Sequence, residues 1–220
     1  MKIRLCEIRA ASGGAEAEIF LKISSDDGAR TQEIKGKISA EMLFQLGLPV
    51  TLKAPISLEK IRCDEILRCM KLHAAIQKGI CFLGFAKNTA KSLKQKLRMK
   101  GYPEEIAEEA VRFLIEKGYL QERDDAELLA EHLANRKHYG ENRIRKEMYA
   151  KGYDAGIIRE TLEFLDADFT EICQKRIVSM GGMKIFETKE DKNKAISALL
   201  RYGFSYEDIR LAQKALCEKE

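Results

Sequence analysis

Tryptophan is absent from this 220-residue chain, and proline and histidine occur only 3 times each. So little proline leaves long stretches free of a helix breaker. The 6 cysteines, at positions 6, 63, 69, 81, 173 and 217, include no CxxC pair and show no regular spacing, which argues against a disulfide framework or a thiolate metal site and points to reduced thiols in a cytoplasmic protein. No apolar run approaches the roughly 18 residues that would cross a bilayer, and no signal-peptide pattern opens the chain. A strong net charge is also missing. The 39 basic and 35 acidic residues leave +4, too little to demand a nucleic-acid partner. With 45% hydrophobic and 34% charged residues, the composition is that of a soluble, helix-rich protein.

Residues 2 to 10 and 16 to 24 flank the turn-forming Ser12-Gly13-Gly14 and read as a β-hairpin, with a third strand after Asp27-Gly28. Ile19, Leu21 and Ile23 alternate cleanly, whereas Ile3, Leu5, Cys6 and Ile8 change phase, which predicts a bulge near Cys6. Met42, Leu43 and Leu46 then fall at helical spacing before a stop at Gly47 and Pro49. Ser57 is suited to cap a second short helix carrying Leu58, Ile61, Ile66 and Leu67, and Lys71 to Phe85 reads as a third helix.

Beyond this segment the chain repeats. Gly101, Gly152 and Gly203 are spaced 51 residues apart twice over. Four residues before them stand Leu97, Met148 and Leu199, and eight before them Leu93, Ile144 and Ala195, all on one helical face. Tyr102, Tyr153 and Phe204 follow directly, then Pro103, Asp154 and Ser205, each suited to start a second helix, and thirteen residues after each glycine comes Leu114, Leu165 or Leu216. Thr89, Gly140 and Asp191 stand twelve residues before the glycines, as N-caps of the first helices. A third helix is predicted from Asp124 to His138, with Leu128, Leu129 and Leu133 buried, and another from Asp168, with Phe169, Ile172, Ile177 and Val178. Gly181-Gly182 reads as a flexible connector.

The fold expected is mainly α: tandem three-helix repeats in an elongated, curved array with an N-terminal β-hairpin or small α+β extension. Its parts are an N-terminal segment (1–70), repeats over 71–139 and 140–185, and an incomplete third repeat over 186–220.

The basic residues cluster on first helices. Lys87, Lys91, Lys94, Lys96, Arg98 and Lys100 have no acidic residue among them, and Arg136, Lys137, Arg143, Arg145, Lys146 and Lys151 repeat the tendency. Such helices either form an interrupted cationic stripe for a polyanion or acidic groove, or are ordinary solvated faces. Tyr102, Tyr153 and Phe204 at helix stops are core residues or, less commonly, base-stacking platforms. The sequence offers no clear chemistry. His132 and His138 lie on different helical faces without cysteine partners, Gly181-Gly182 lacks a phosphate-loop pattern, and His73 has no evident nucleophile beside it. No enzyme activity, metal or cofactor is expected.

Three runs resemble the RecX family of bacterial RecA regulators. They are Thr89 through Leu93, Lys96 and Leu97 to Lys100-Gly101-Tyr102; Asp124-Asp125 leading to Arg136; and Tyr139-Gly140, Arg143-Ile144, Glu147-Met148 and Lys151-Gly152-Tyr153. Together they cover about residues 72 to 220, with Ser92, Met148 and Tyr202 as departures from the family pattern. The resemblance implies a non-enzymatic, cytoplasmic protein of DNA repair, recombination and the SOS response. It would lie in the groove of the RecA filament on single-stranded DNA and modulate its assembly, ATPase and strand exchange, inhibition being the expected sense. Lys94, Arg98, Lys100, Arg136, Arg143, Arg145, Lys146 and Lys151 are the partner-binding candidates, and Leu97, Gly101, Met148, Gly152, Leu199 and Gly203 the structural frame. A monomer is expected. The rival reading is a helical module that binds DNA directly, without a recombinase.

Overall fold

The computed structural model describes residues 2–11, 14–24 and 31–218. Ser12, Gly13, Asp27 and Gly28, on which the turn assignments rested, lie outside the described residues. The chain divides into two compact units, one of residues 1–86 with 93–120, the other of 87–92 with 121–220.

In the first unit, β1 (Lys2–Ala10) and β2 (Glu16–Ser24) form the expected antiparallel hairpin, and β3 (Thr31–Ser39) adds the third strand. The register of β1 against β2 shifts between Leu5 and Glu7, so the phase change at Cys6 is a bulge. Ser39 ends β3 and caps α1 (Ala40–Gln45), its side chain accepting from the Met42 amide. The region after Gly47 departs from expectation. Ser57 and Leu58 belong to a short strand, β4 (Ile56–Leu58), which pairs with β1 and completes a sheet of order β3-β2-β1-β4. The two helices anticipated around Ile61 and Leu72 are one, α2 (Lys60–Phe85). No breaker separates them, and a continuous buried stripe from Cys63 and Ile66 through Met70 to Ile76 holds the long helix down. A Cβ on Gly36 would lie 2.3 Å from the Met70 methyl, and one on Gly79 2.5 Å from Leu114, so both glycines mark close approaches to or by α2.

Three helical hairpins follow: α3 (Ala90–Met99) with α4 (Glu104–Glu116), α6 (Glu141–Lys151) with α7 (Ala155–Glu163), and α9 (Lys189–Arg201) with α10 (Tyr206–Cys217). Each turns at its repeat glycine, with φ of +90°, +90° and +93° at Gly101, Gly152 and Gly203. The hydrogen bonds are the same three times over. The aromatic amide reaches back to the carbonyl of the buried residue four before the glycine, as in Tyr102 to Leu97, Tyr153 to Met148 and Phe204 to Leu199 at 3.2–3.3 Å. The glycine amide bonds the carbonyl three residues back. This is the Schellman closure, which needs the left-handed residue that glycine supplies without strain. Leu93, Leu97, Ile144, Met148 and Leu199 are fully buried beneath it and Ala195 nearly so.

Several sequence assignments shift by a turn or a face. The third helix of copy one is α5 (Glu122–Glu131) continued by a π-helical turn (His132–Arg136). Its buried stripe is Ala126, Ala130, Leu133 and Ala134, while Leu128 is 56% exposed. Leu128, two residues from both Ala126 and Ala130, lies on the opposite face of the helix. In α8 (Phe169–Ser179), capped by Asp168, Ile172, Cys173 and Ile177 are buried and Val178 faces out. Gly181 and Gly182 lead into a 3₁₀ turn (Gly182–Phe186) whose Ile185 and Phe186 pack on the core of the second unit. Thr188, not Asp191, caps α9, because the helix starts one turn early and Asp191 becomes the third helical residue, donating its amide to Thr188 Oγ1. Leu114 is buried, whereas Leu165 lies past the end of α7 and is half-buried, as is Leu216.

Candidate interaction surfaces

The candidate cations fall on both units. Lys94, Arg98 and Lys100 belong to α3 and its end in the first unit; Arg136, Arg143, Arg145, Lys146 and Lys151 belong to the second. On α3 the burial of Leu93 and Leu97 turns the basic positions toward α4, whose acids are at hand. Lys94 Nζ lies 3.2 Å from Glu104 and 3.9 Å from Glu108, and Arg98 2.9 Å from Glu104. The absence of acids along the α3 sequence is therefore compensated in space by the acidic α4. Lys100 stands free of ion pairs among the described residues and is exposed.

On α6, Ile144 and Met148 are buried and Lys146 lies on the opposite, exposed side. Arg143 is flanked by Glu147 at 2.6 Å, and Arg145 bonds Glu141, both one turn away on the same helix. Such exposed pairs are each worth about 0.3–0.5 kcal/mol, so they do not immobilise the guanidiniums. Lys146, Lys151 and Arg136 are exposed and form no ion pair among the described residues. Lys151 borders a cavity of about 320 Å³ that is also lined by Lys87, Asp125, His132 and Tyr153. Lys87 pairs with Asp125 at its edge. Burial, with Asp125 and Glu122 nearby, pushes the Tyr153 phenol up, so it stays a neutral hydroxyl. Glu122, also pushed up by burial, accepts from the Ala90 amide at 3.3 Å.

One arrangement was not foreseen from sequence. Arg143 sits over the Tyr139 ring at 5.6 Å, Tyr139 and Tyr202 rings are 6.1 Å apart, and Arg176 covers Tyr202 at 4.0 Å. The four side chains alternate cation, ring, ring, cation, and Arg176 also donates to the carbonyls of Lys137 and His138. Tyr139 and Tyr202 each directly precede a glycine, but at different positions of the repeat, so spacing held no sign that the two rings meet. Tyr153 and Phe204 are core residues with 9% and 1% exposure, and Tyr102 is half-buried.

Among the described residues no group of three His, Cys, Asp or Glu is placed to hold a metal ion, and no helix is long and apolar enough to cross a membrane.

Residues 75–114 match the family model for the RecX first three-helix domain. The chain is 33% identical over 122 residues to the regulatory protein RecX of Vibrio vulnificus, covering 54% of this chain and 78% of that one. It is 29% identical over 183 residues to that of Clostridium botulinum (strain Alaska E43), covering 79% and 81%. Its fold is that of a crystal structure of regulatory protein RecX (TM-score 0.73, 18% identity, 96% of this chain and 99% of the other). A RecX structure from Lactobacillus salivarius superposes with a TM-score of 0.61 at 22% identity over 67% of this chain and 97% of the other. With its glycine-stopped helical hairpins and these relatives, the chain belongs to the RecX family.

Proposed function

We propose that this protein is a non-enzymatic regulator of homologous recombination that binds the RecA filament on single-stranded DNA and restrains its assembly, ATP hydrolysis and strand exchange. It acts in the cytoplasm, each chain binding as a monomer through the repeats at 71–139, 140–185 and 186–220. The observation that carries this reading is the exposed basic side of α6, where Lys146 faces solvent unpaired between Arg143 and Arg145, on a helix anchored by Ile144 and Met148. Family membership supplies the kind of partner. Unpaired cations carry more of the contact than paired ones, because a new anion need not displace an existing carboxylate. Lys146, Lys151, Arg136 and Lys100 therefore rank above Lys94, Arg98, Arg143 and Arg145.

Charge reversal at Arg143, Arg145 and Lys146 together is expected to weaken binding to RecA-coated single-stranded DNA by about tenfold or more, the equivalent of one lost strong contact. The circular-dichroism melt should stay nearly unchanged. Lys146→Glu alone should give the largest share. Unaltered binding by the triple variant, read as anisotropy of labelled filament or as recombinase ATPase, would sink the proposal.

A further inference from the structure

Within the second unit the same joint is built twice between successive repeats. Thr89, the cap of α3, donates its hydroxyl to the Lys151 carbonyl at 3.3 Å, and a Cβ on Gly152 would lie 3.1 Å from that hydroxyl oxygen. Gly140, the cap of α6, donates its amide to the Tyr202 carbonyl at 2.9 Å, and Asn142 donates to the Gly203 carbonyl at 3.1 Å. In both, the start of one repeat's first helix seats on the glycine turn of the next repeat, and the first acceptor is the carbonyl just before the glycine. The joints bury what they join. Thr89 is 3% exposed, Gly140 and Gly203 are buried, and Gly152 is half-buried.

One half of each kind is left over. The Gly101 turn is exposed, a Cβ there would meet nothing within 4 Å among the described residues, and beside it lies an open recess of about 620 Å³ lined by Arg98, Met99, Tyr102 and Glu104. Met99 is 79% exposed at its rim. The start of α9 is likewise exposed from Glu187 to Glu190, and it is capped by a threonine, as α3 is. The end of α3 carries Lys96, Arg98 and the unpaired Lys100, and the start of α9 presents Glu187 and Glu190 exposed beside Lys189, Asp191 and Lys192. A helix end and a helix start also meet with opposed partial charges.

We propose that the α9 start of one molecule seats on the Gly101 turn of a second copy of this chain, so that molecules associate head to tail. The contact is heterologous, each chain offering two different half-sites, so pairs add further chains into rings or open assemblies. A single such joint is small, so the isolated protein is a monomer when dilute and associates as concentration rises.

Two surface variants test this. Met99→Asp places an acid at the turn, and Glu187→Lys with Glu190→Lys reverses the α9 start while keeping the Thr188 cap. Sedimentation equilibrium up to about 1 mM, a range that registers weak association, should show wild-type mass rising beyond that of two chains. Each variant alone should stay at one chain. Their equimolar mixture should rise to two chains and stop, since one intact joint survives. A wild-type mass that stays at one chain, self-association by either variant alone, or a mixture no heavier than its components would each overturn the proposal.

Discussion

His73 is a buried titratable group that the expected function does not use. It is 4% exposed on α2, its Nε2 lies 3.2 Å from Glu16, and that nitrogen is a buried polar atom without a hydrogen bond of good geometry. Glu16 also accepts from Gln77 and pairs with Lys37 at 3.6 Å. Burial holds the imidazole below its ordinary value near 6.5, against the opposing pull of Glu16 and with help from Lys37. Because the folded value is depressed, the unfolded chain takes up a proton first. The contribution is full above about pH 6.5 and is lost as pH falls toward the depressed value. Wild type should therefore lose thermal stability between pH 7 and 5.5 relative to His73→Leu; parallel melting profiles would contradict this. Cys173 gives a second reading at this scale. Burial first, then Asp208, pushes its thiol up to about 12, whereas Cys81 and Cys217 are exposed. Iodoacetamide at pH 8 should label the latter two in the native protein and leave Cys173 intact, as read by mass spectrometry.

At the scale of elements, the repeat glycines differ in what they tolerate. Gly101→Ala adds a Cβ in open space and bears only the left-handed backbone term, about 1–2 kcal/mol. Gly203→Ala would place its Cβ 2.2 Å from the Arg143 amide nitrogen, where no side chain can move aside, and should lose about 2–5 kcal/mol once overpacking is added. Leu97→Ala, fully buried, should lose roughly 2–5 kcal/mol. Chemical denaturation that ranks Gly101→Ala as the worst of the three would refute this ordering. The same comparison shows how legible the fold was. The hairpin, the Cys6 bulge and the three glycine stops could all be read, because each depends on residues within a few positions of one another. The merging of two expected helices into α2, the exposure of Leu128 and Val178, and the earlier start of α9 could not, because packing across elements decided them. The clustering of basic residues was legible as composition only. That α4 supplies Glu104 and Glu108 to Lys94, and that Arg143 and Arg176 enclose two tyrosines, required the fold.

For the whole molecule, the net charge of +4 and the modest number of unpaired candidate cations bear on the rival reading. If Lys100, Arg136, Lys146 and Lys151 all met phosphates, the logarithm of affinity for bare single-stranded DNA would fall against the logarithm of salt with a slope of about −3, by roughly −0.7 per contact. A filament regulator should instead show weak bare-DNA binding and tight binding to the recombinase-coated strand. Tight binding to bare DNA with that slope, unimproved by recombinase, would favour the direct DNA-binding module. The π-helical turn at His132–Arg136 has its own consequence for the array. A π turn holds one more residue than an α turn at nearly the same axial length. The wider turn is completed before Gly140 meets Tyr202 and Gly203, so a residue gained or lost within it would leave that seat in register.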